Sequence, residues 1–412
     1  MSKWRKYMSL FAAGSMMVSS LACVASADEP VEITMMCDWT SDESDSAEDM
    51  AMIAEKLGYT LKFENVDSDT YKTKIRIMLQ ANELPDIFFT WGGSYSTPFL
   101  EAGALYPLED TIAELGYDLL DSYEQPDENG HNYSAPGSAI DTYALFYNKD
   151  VFEQIGMEVP TNWDELLAVV EACNEQGIGA IGIGNKDRWE GDLFYNMMVL
   201  REDVDAFANA ESGDGSFTDE PFLTAAEKVQ TLVEMGAFYS GYMQSTCDEC
   251  LELLKVGQIA MYPAGSWNVS YYADDENIGC TVFPQTGDED PYLYCCSNAA
   301  NSGLVVNAYS ENAAEAAKLI IEFSKYRSEK AVAAGAQAWF ATDTECEEEP
   351  AEIISTYYEN SAKLEKTQLW WYDYLDTSIG EPMRDLSSKQ FAGQIEAADF
   401  VTELEAIING AE

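Results

Sequence analysis

Basic residues are scarce in this chain, and histidine occurs once. Its 412 residues carry 22 Lys and Arg against 74 Asp and Glu, which gives a formal net charge of -52 at pH 7. A chain this acidic is repelled by phosphate backbones and by anionic lipid, so nucleic acid and acidic membrane surfaces are poor partners, and we expect no nucleic acid to bind. The simplest interpretation is an acidic, well-hydrated surface that keeps the protein soluble, and the charge alone names no ligand.

Metal-ligand sets and common catalytic motifs are also missing. One histidine, His131, and one Cys-x-x-Cys pair, Cys247 and Cys250, do not make up a typical structural zinc site, so we expect neither metal nor cofactor. No G-x-S-x-G turn and no P-loop is present. Residues 177–182 match G-x-G-x-x-G, but they follow a helical pattern and lead into an apolar run, the reverse of the order that dinucleotide binding requires. They predict the end of a helix instead.

A long uncharged apolar run occurs only near the amino terminus, at residues 8–24. Three basic residues precede it and Ala25-Ser26-Ala27 follows it, a pattern that predicts a signal peptide cleaved after Ala27. No later stretch is long and apolar enough to cross a bilayer. We therefore expect an exported, soluble protein. Lipid attachment at Cys23 stays open as the less favoured alternative, and export would permit disulfides among the other eight cysteines, whose pairing the spacing does not settle.

The composition is that of a globular protein, with 47% hydrophobic residues, 24 Tyr and 9 Trp. Helical patterns alternate with short apolar runs, which predicts an α/β architecture of parallel sheets covered by helices. One helix is predicted to begin after Thr161, with Asp164 reaching back to that cap, and to end near Gly177. Two more are predicted over 218–236 and 312–326.

Ten segments in a fixed order carry the most specific signal. They are EITMM (32–36), LPDIFF (84–89), EAGALYPL (101–108), NYSAP (132–136), LFYNKDVF (145–152), PTNWDE (160–165), VGQIAM (256–261), GSW (265–267), VFP (282–284) and GLVV (303–306). In this order the chain resembles the family 1 extracellular solute-binding proteins, which include the maltose and maltooligosaccharide receptors, over nearly the whole mature chain. Each segment alone is weak, and the ordered set is specific.

The resemblance implies a two-lobed periplasmic-binding-protein fold of type II, with a ligand cleft between the lobes. On that basis the signal peptide occupies 1–27, lobe 1 takes 28–132 and 297–342, and lobe 2 takes 133–296 and 343–412. The implied function is binding without catalysis: a monomeric receptor delivers a small molecule, an oligosaccharide, to the permease subunits of an ABC importer.

The resemblance also implies ligand contacts by position. A sugar site needs flat apolar faces for the ring and polar groups for the hydroxyls, because a buried hydroxyl without a partner is costly. The matching positions are Trp39, Trp91, Asp141, Asp187, Trp189, Trp267, Trp370 and Arg384. Trp163, inside a helix-start motif, is predicted to be a core residue. Gly92-Gly93-Ser94 stands where maltose-type receptors carry charged residues, which puts maltose itself in question.

Two other function classes stay open at this point. The same fold could bind a cation such as a polyamine, which acid-rich cleft loops would suit electrostatically. An exported carbohydrate-active enzyme is the third class, since with 74 acidic residues some pair of carboxylates will always have a spacing suitable for glycoside cleavage.

Overall fold

The computed structural model describes residues 30–38, 44–124, 126–127, 129–137, 139–299, 301–346 and 349–410. The predicted signal peptide with Ala27, the alternative anchor Cys23 and the predicted contact Trp39 lie outside these residues. The strands are β1 (Val31–Cys37), β2 (Tyr59–Asn65), β3 (Ile87–Thr90), β4 (Tyr143–Asn148), β5 (Gly179–Ile181), β6 (Ile259–Gly265), β7 (Ile278–Thr281), β8 (Tyr294–Ser297), β9 (Gly303–Val306) and β10 (Lys366–Leu369).

The helices alternate with these strands along much of the chain. They are α1 (Ser44–Leu57), α2 (Ser68–Ala81), α3 (Gly93–Glu101), α4 (Glu109–Leu115), α5 (Lys149–Ile155), α6 (Trp163–Gln176), α7 (Trp189–Glu202), α8 (Ala206–Ser212), α9 (Glu220–Glu234), α10 (Cys247–Lys255), α11 (Ala313–Ala333), α12 (Glu352–Ser361), α13 (Trp371–Tyr374), α14 (Thr377–Phe391) and α15 (Ala397–Asn409). This confirms the predicted α/β class.

Two four-stranded sheets organise the fold. The first has the order β2-β1-β3-β9, with β1 parallel to both neighbours and β9 antiparallel to β3. The second has the order β5-β6-β4-β7, with β5 parallel to β6 and β4 antiparallel to both β6 and β7. The sheets predicted as parallel are therefore mixed, because strand and helix periodicity does not reveal the direction of a strand that arrives from a different sheet.

The chain passes between the two sheets before β4, again between β8 and β9, and again after α11. The crossing segments lie side by side. Thr142 pairs with Ser297 in an isolated antiparallel bridge, and the Trp370 amide donates to the Ser297 carbonyl at 3.0 Å. Each sheet is thus assembled from segments that are discontinuous in sequence, although the predicted lobe boundaries themselves stay a prediction.

Each sheet packs against its own hydrophobic core. Residues of β1, β3, β9, α1 and α11 form one core, which includes Ile33, Ile87, Val306 and Ile320. Residues of β5, β6 and the helices α7, α9, α14 and α15 form the other, which includes Phe194, Val229, Met261 and Phe391. In the part of the chain that the structure describes, no helix has both the length and the apolar composition to span a bilayer.

The predicted helix starts and ends are only partly correct. Helix α6 begins one residue later than predicted, since Asn162 is the N-cap and its side chain accepts the Glu165 amide at 3.1 Å. Glu165, and not Asp164, reaches back to the amide and hydroxyl of Thr161, both at 2.8 Å. Its end at Gly177, where φ is 71°, is confirmed. Helix α11 continues beyond residue 326 to Ala333 because no glycine or proline interrupts it.

A buried arginine fastens the second sheet to α7. Arg201 has no exposed surface, and its guanidinium donates to the carbonyls of Phe283, Pro284, Pro291 and Tyr294 at 2.7 to 3.4 Å. Burial lowers the pKa of Arg201 to about 10, so the side chain is charged at neutral pH. One cation therefore satisfies backbone acceptors that would otherwise be buried without donors.

We expect Arg201→Met to lower the free energy of unfolding by at least about 3 kcal/mol, because each orphaned buried carbonyl costs roughly 1–3 kcal/mol. Urea unfolding followed by circular dichroism measures the change. Lys62→Met is the matched control, since Lys62 pairs with Glu32 on the exposed edge of the first sheet and should cost less than about 1 kcal/mol. Equal effects of the two variants would contradict the role of Arg201.

Candidate functional site

A cavity of about 400 Å³ opens between the helices of the two sheets. Helices α2 and α3, on the side of the first sheet, form one wall, and residues from the α7 start, α13 and α14 form the other. The lining residues are Lys72, Thr73, Arg76, Ile77, Gln80, Tyr95, Arg188, Tyr372, Gly380, Glu381 and Arg384. We call this space the cleft cavity. Its volume is in the range of small-molecule sites, which prefer such interfaces.

Aromatic side chains form the wall on the side of the first sheet. Trp91, directly after β3, is half-buried, and its ring centroid lies 4.8 Å from that of Tyr95 and 5.8 Å from that of Tyr71. The Lys72 ammonium lies 5.1 Å from the Trp91 ring centroid, within cation–π range. Tyr95 in turn lines the cavity. The predicted contact Trp91 therefore belongs to the aromatic cluster behind the cavity wall.

The glycine pair after Trp91 brings the two walls together. Gly92 and Gly93 have φ of 72° and 49°, and a Cβ on Gly93 would collide with the carbonyl oxygen of Asp373. The next residue, Ser94, donates its hydroxyl to the Tyr372 carbonyl at 3.1 Å. A charged side chain in place of Gly93 would not fit here. The departure from the maltose-type pattern thus has a structural reason, the close approach of two backbones.

Three predicted contacts lie close to Arg188, which lines the cavity, either along the chain or through ring packing. Trp189 opens α7 and Trp267 lies in the turn after β6, with ring centroids 6.0 Å apart. Asp187 is two residues before Trp189, and Arg188 between them lines the cavity. All three predicted residues are half-buried. The Trp267 ring folds back over Gly265, where any Cβ would collide with it, so the Gly-Ser-Trp sequence is a packing motif as well as a predicted contact.

Arg188 is held in an unusual conformation. Its φ of 66° is in the left-handed region, which costs a non-glycine residue roughly 1 kcal/mol. Its guanidinium pairs with Glu381 at 3.2 Å and with Asp385 at 2.5 Å, both on α14. These ion pairs fix the chain just before Trp189, and strain of this kind is frequent at functional sites.

Asp141 lies at the crossing between the sheets and is buried. Its carboxylate accepts the Ser266 hydroxyl at 2.8 Å, and its amide donates to the Asn298 side-chain oxygen at 2.9 Å. Because Ser266 immediately precedes Trp267, this hydrogen bond holds the turn that carries the tryptophan. The structure therefore gives Asp141 a positioning role, and direct ligand contact by Asp141 stays a prediction.

Arg384 lines the cavity from α14, and its surroundings are acidic. It is 2% exposed, it stacks 4.9 Å from the Tyr372 ring centroid, and its Nη1 lies 3.1 Å from Glu381. Two fully enclosed carboxyls lie nearby. Burial raises the pKa of Asp192 to about 7 and that of Asp373 well above its ordinary value, while the Arg384 charge opposes both shifts.

Trp370 is a core residue in this structure, with no exposed surface and a ring packed edge-on against Tyr143 at 5.5 Å. Contact with a ligand at Trp370 stays a prediction, and its neighbour Tyr372 reaches the cavity instead.

The cavity-lining residues that sequence reasoning missed are Lys72, Arg76, Tyr95, Arg188 and Tyr372. A signal for two of them was present in the sequence. Basic residues are scarce in this chain, and the four-residue spacing of Lys72 and Arg76 puts both on one helix face. Among the described residues, no group of His, Cys, Asp and Glu is arranged to hold a metal ion.

Comparison with solved structures identifies this arrangement as a type II periplasmic-binding-protein fold, which confirms the predicted fold class. A structure solved in work on xylan utilization by the thermophilic bacterium Caldanaerobius polysaccharolyticus is 27% identical, with a TM-score of 0.82 and coverage of 92% of this chain and 100% of that one. A chitin oligosaccharide binding protein is 20% identical, with a TM-score of 0.82 and coverage of 93% and 99%.

The sequence comparisons name the family. Residues 40–326 match the family of bacterial extracellular solute-binding proteins, and the chain belongs to it. An uncharacterized ABC transporter extracellular-binding protein of Pyrococcus horikoshii is 25% identical over 297 residues, covering 65% of this chain and 66% of that protein. The chain thus spans about 60–66% of the length of the curated relatives it matches.

The buried carboxyl of Asp192 predicts a pH-dependent stability. Because its pKa is about 7 in the fold against an ordinary 3.8, the folded protein holds this proton more tightly than the unfolded chain does. Its stabilising contribution is complete below about pH 4 and is lost as the pH rises through about 7. Across this window we expect the free energy of unfolding of the parent to fall by a few kcal/mol relative to that of Asp192→Asn. The slope should be at most about 1.4 kcal/mol per pH unit. Urea unfolding of both proteins between about pH 4 and 8 measures the difference, and parallel profiles would refute it.

Two tryptophans should separate site from scaffold. One face of Trp267 against a sugar would bury on the order of 80 Å², or roughly 2 kcal/mol, so Trp267→Ala should weaken ligand affinity about thirtyfold. Trp163 packs against the core and under Lys228, so Trp163→Ala should instead lower stability by about 3 kcal/mol or less, with affinity little changed. Calorimetric titration and thermal melting give both values. If Trp267→Ala melts far lower and binds normally, Trp267 is scaffold.

Proposed function

We propose that this protein is an exported receptor that captures an oligosaccharide and delivers it to the permease subunits of an ABC importer. The observation that carries the proposal is the cleft cavity, where aromatic rings and charged or amide side chains converge between two sheets joined by crossing segments. Aromatic faces suit the C–H surface of a pyranose, and the charged groups suit its hydroxyls. Membership of the solute-binding family and the oligosaccharide named for one structural neighbour support it.

In this proposal the residues divide into contacts and supports. Tyr95 and Tyr372 would face the sugar rings within the cavity, and Trp189 and Trp267 would extend the aromatic surface beyond Arg188. Trp39, Trp91 and Asp187 are further proposed contacts by position, and Arg384 would donate to ligand oxygens. Asp141 and Trp370 would hold these groups in place from the crossing between the sheets.

The lining supports binding over the two other function classes. Glycoside cleavage needs two carboxyls across the bond, whereas in the described part of the lining Glu381 is the one carboxylate and it pairs with two arginines. Four cationic side chains line the same cavity, which makes a polyamine an unfavourable occupant. We therefore propose a non-catalytic monomer, secreted by cleavage after Ala27, with lipid attachment at Cys23 as the alternative form.

Incubation with pools of defined oligosaccharides tests the function. We expect one class of oligosaccharide to be retained unaltered, because the described lining offers a binding surface in which the one carboxylate, that of Glu381, is already paired with arginines. Mass spectrometry of the retained and released fractions, with spermidine in a parallel incubation, measures this. Shortened products would indicate an enzyme, and retention of spermidine alone would indicate a cation receptor.

Binding should also close the cleft. The two sheets are joined by crossing segments, so a ligand that contacts both walls favours the arrangement in which the walls approach. We expect a smaller radius of gyration by small-angle X-ray scattering when the retained oligosaccharide saturates the protein. The control is Trp267→Ala with the same sugar, at a concentration that saturates the parent but lies below the dissociation constant of the variant. The radius of gyration of this variant should not change. An unchanged radius at saturation would count against closure.

A further inference from the structure

We propose that the cleft cavity selects a saccharide that carries an anionic group, such as a uronic acid. This inference rests on the proposed carbohydrate function and narrows it to a ligand class. The observation behind it is that Lys72, Arg76, Arg188 and Arg384 converge on one cavity of a strongly acidic protein.

The distribution of charge makes this convergence specific. The chain has 22 Lys and Arg in 412 residues, yet four of the eleven residues lining the cavity are basic. Acidic residues outnumber basic ones more than threefold in the chain, yet among the described residues that line the cavity Glu381 is the one acid. A protein with this net charge repels anions at long range, so an anionic ligand needs a local cluster of cations to bind. Screening at physiological ionic strength limits the repulsion to roughly 8 Å, which lets such a cluster act.

Two of the cations come from one face of α2. Lys72 and Arg76 are four residues apart, and their charged groups lie over the rings of Trp91 and Tyr95, at 5.1 and 5.4 Å from the ring centroids. Within the described ranges no ion pair joins the Arg76 guanidinium to a carboxylate; hydrogen bonds from Ser378 are the main cause that lowers the pKa of Asp376, and the Arg76 charge adds to it through space. Arg76 therefore has donors available for a ligand carboxylate.

The other two cations come from the opposite wall and share one acid. Glu381 pairs with both Arg188 and Arg384, and Asp385 adds a second contact to Arg188 from outside the lining. The Arg384 Nε is buried, and no described residue accepts a hydrogen bond from it. Asp192 and Asp373, the other acids near Arg384, have pKa values raised by burial, so they do not fully cancel its charge near neutral pH.

A carboxylate on a sugar ring fits this arrangement. Arginine binds carboxylates through paired N–H donors, and such charge-assisted bonds are stronger than bonds to neutral hydroxyls. Tyr95 and Tyr372 lie beside the cations and would hold the ring to which the acid is attached. A phosphate ester on a sugar shares this chemistry, so the two sources must be distinguished by experiment.

The test compares acidic saccharides with neutral partners of the same shape. Isothermal titration would use trigalacturonate and a glucuronic acid-substituted xylotriose, each beside its carboxyl-reduced form, and a phosphorylated glucose beside glucose. We expect the acidic form of at least one pair to bind about tenfold more tightly or better, with a preference that falls as salt rises. A preference confined to the phosphorylated sugar would support an anionic ligand and assign it to the phosphate ester.

A matched pair of variants locates the effect. Arg76→Gln removes a cation from the cavity wall, whereas Lys74→Gln removes one from the same helix, where Lys74 pairs with Glu64 outside the lining. We expect the ratio of acidic to neutral affinity to collapse in Arg76→Gln and to persist in Lys74→Gln.

Equal affinities of acidic and neutral saccharides for the parent would overturn this inference and leave the proposed function intact. Equal loss in both variants would also overturn it, and binding of no saccharide in any pair would reject the proposed function itself.

Discussion

The rest of the structure depends on the bundle of crossing segments between the two sheets. Thr142 bridges to Ser297, the Trp370 amide donates to the Ser297 carbonyl, and the Asp141 and Asn298 backbones are joined at 3.1 Å. Ser297 and Thr142 are 1% and 6% exposed, so breaking these bonds would leave buried backbone groups without partners. These bonds therefore join the two sheets at the crossing segments.

The bundle also fixes the aromatic side chains of the site. Asp141 accepts the Ser266 hydroxyl, and Ser266 opens the turn that places Trp267 beside Trp189. One hydrogen bond therefore links the crossing segment to the turn that carries the Trp267 ring. The same carboxylate that sequence position marks as a ligand contact is placed by the structure where it supports such contacts. The sequence does not distinguish an acid that supports the site from an acid that contacts the ligand, because both are polar residues at the same place before a strand.

Much of the fold was predictable from the chain itself. The α/β class, the end of α6 at Gly177 and the ordered segments of the resemblance all depend on local patterns that a sequence displays. Strand direction in β4 and β9 did not follow, since it is set by chain crossings and not by periodicity. For the site, ligand contact by Trp91, Trp189 and Trp267 stays a prediction, and the lining residues Lys72 and Arg76 were missed. A basic residue on a helix usually forms a solvated face, and only the cavity between α2 and the opposite wall reveals these two as lining.

Placing basic side chains in the cavity of an acidic protein requires that their charges be both removed from water and compensated. Arg384 is 2% exposed, and an arginine this buried is costly unless acids or aromatic faces surround it. The fold supplies Glu381 at 3.1 Å, the Tyr372 face, and the buried carboxyls of Asp192 and Asp373. Because burial raises the pKa of both carboxyls, they compensate the Arg384 charge less than ordinary aspartates would, and Glu381 remains the acid that pairs with it directly.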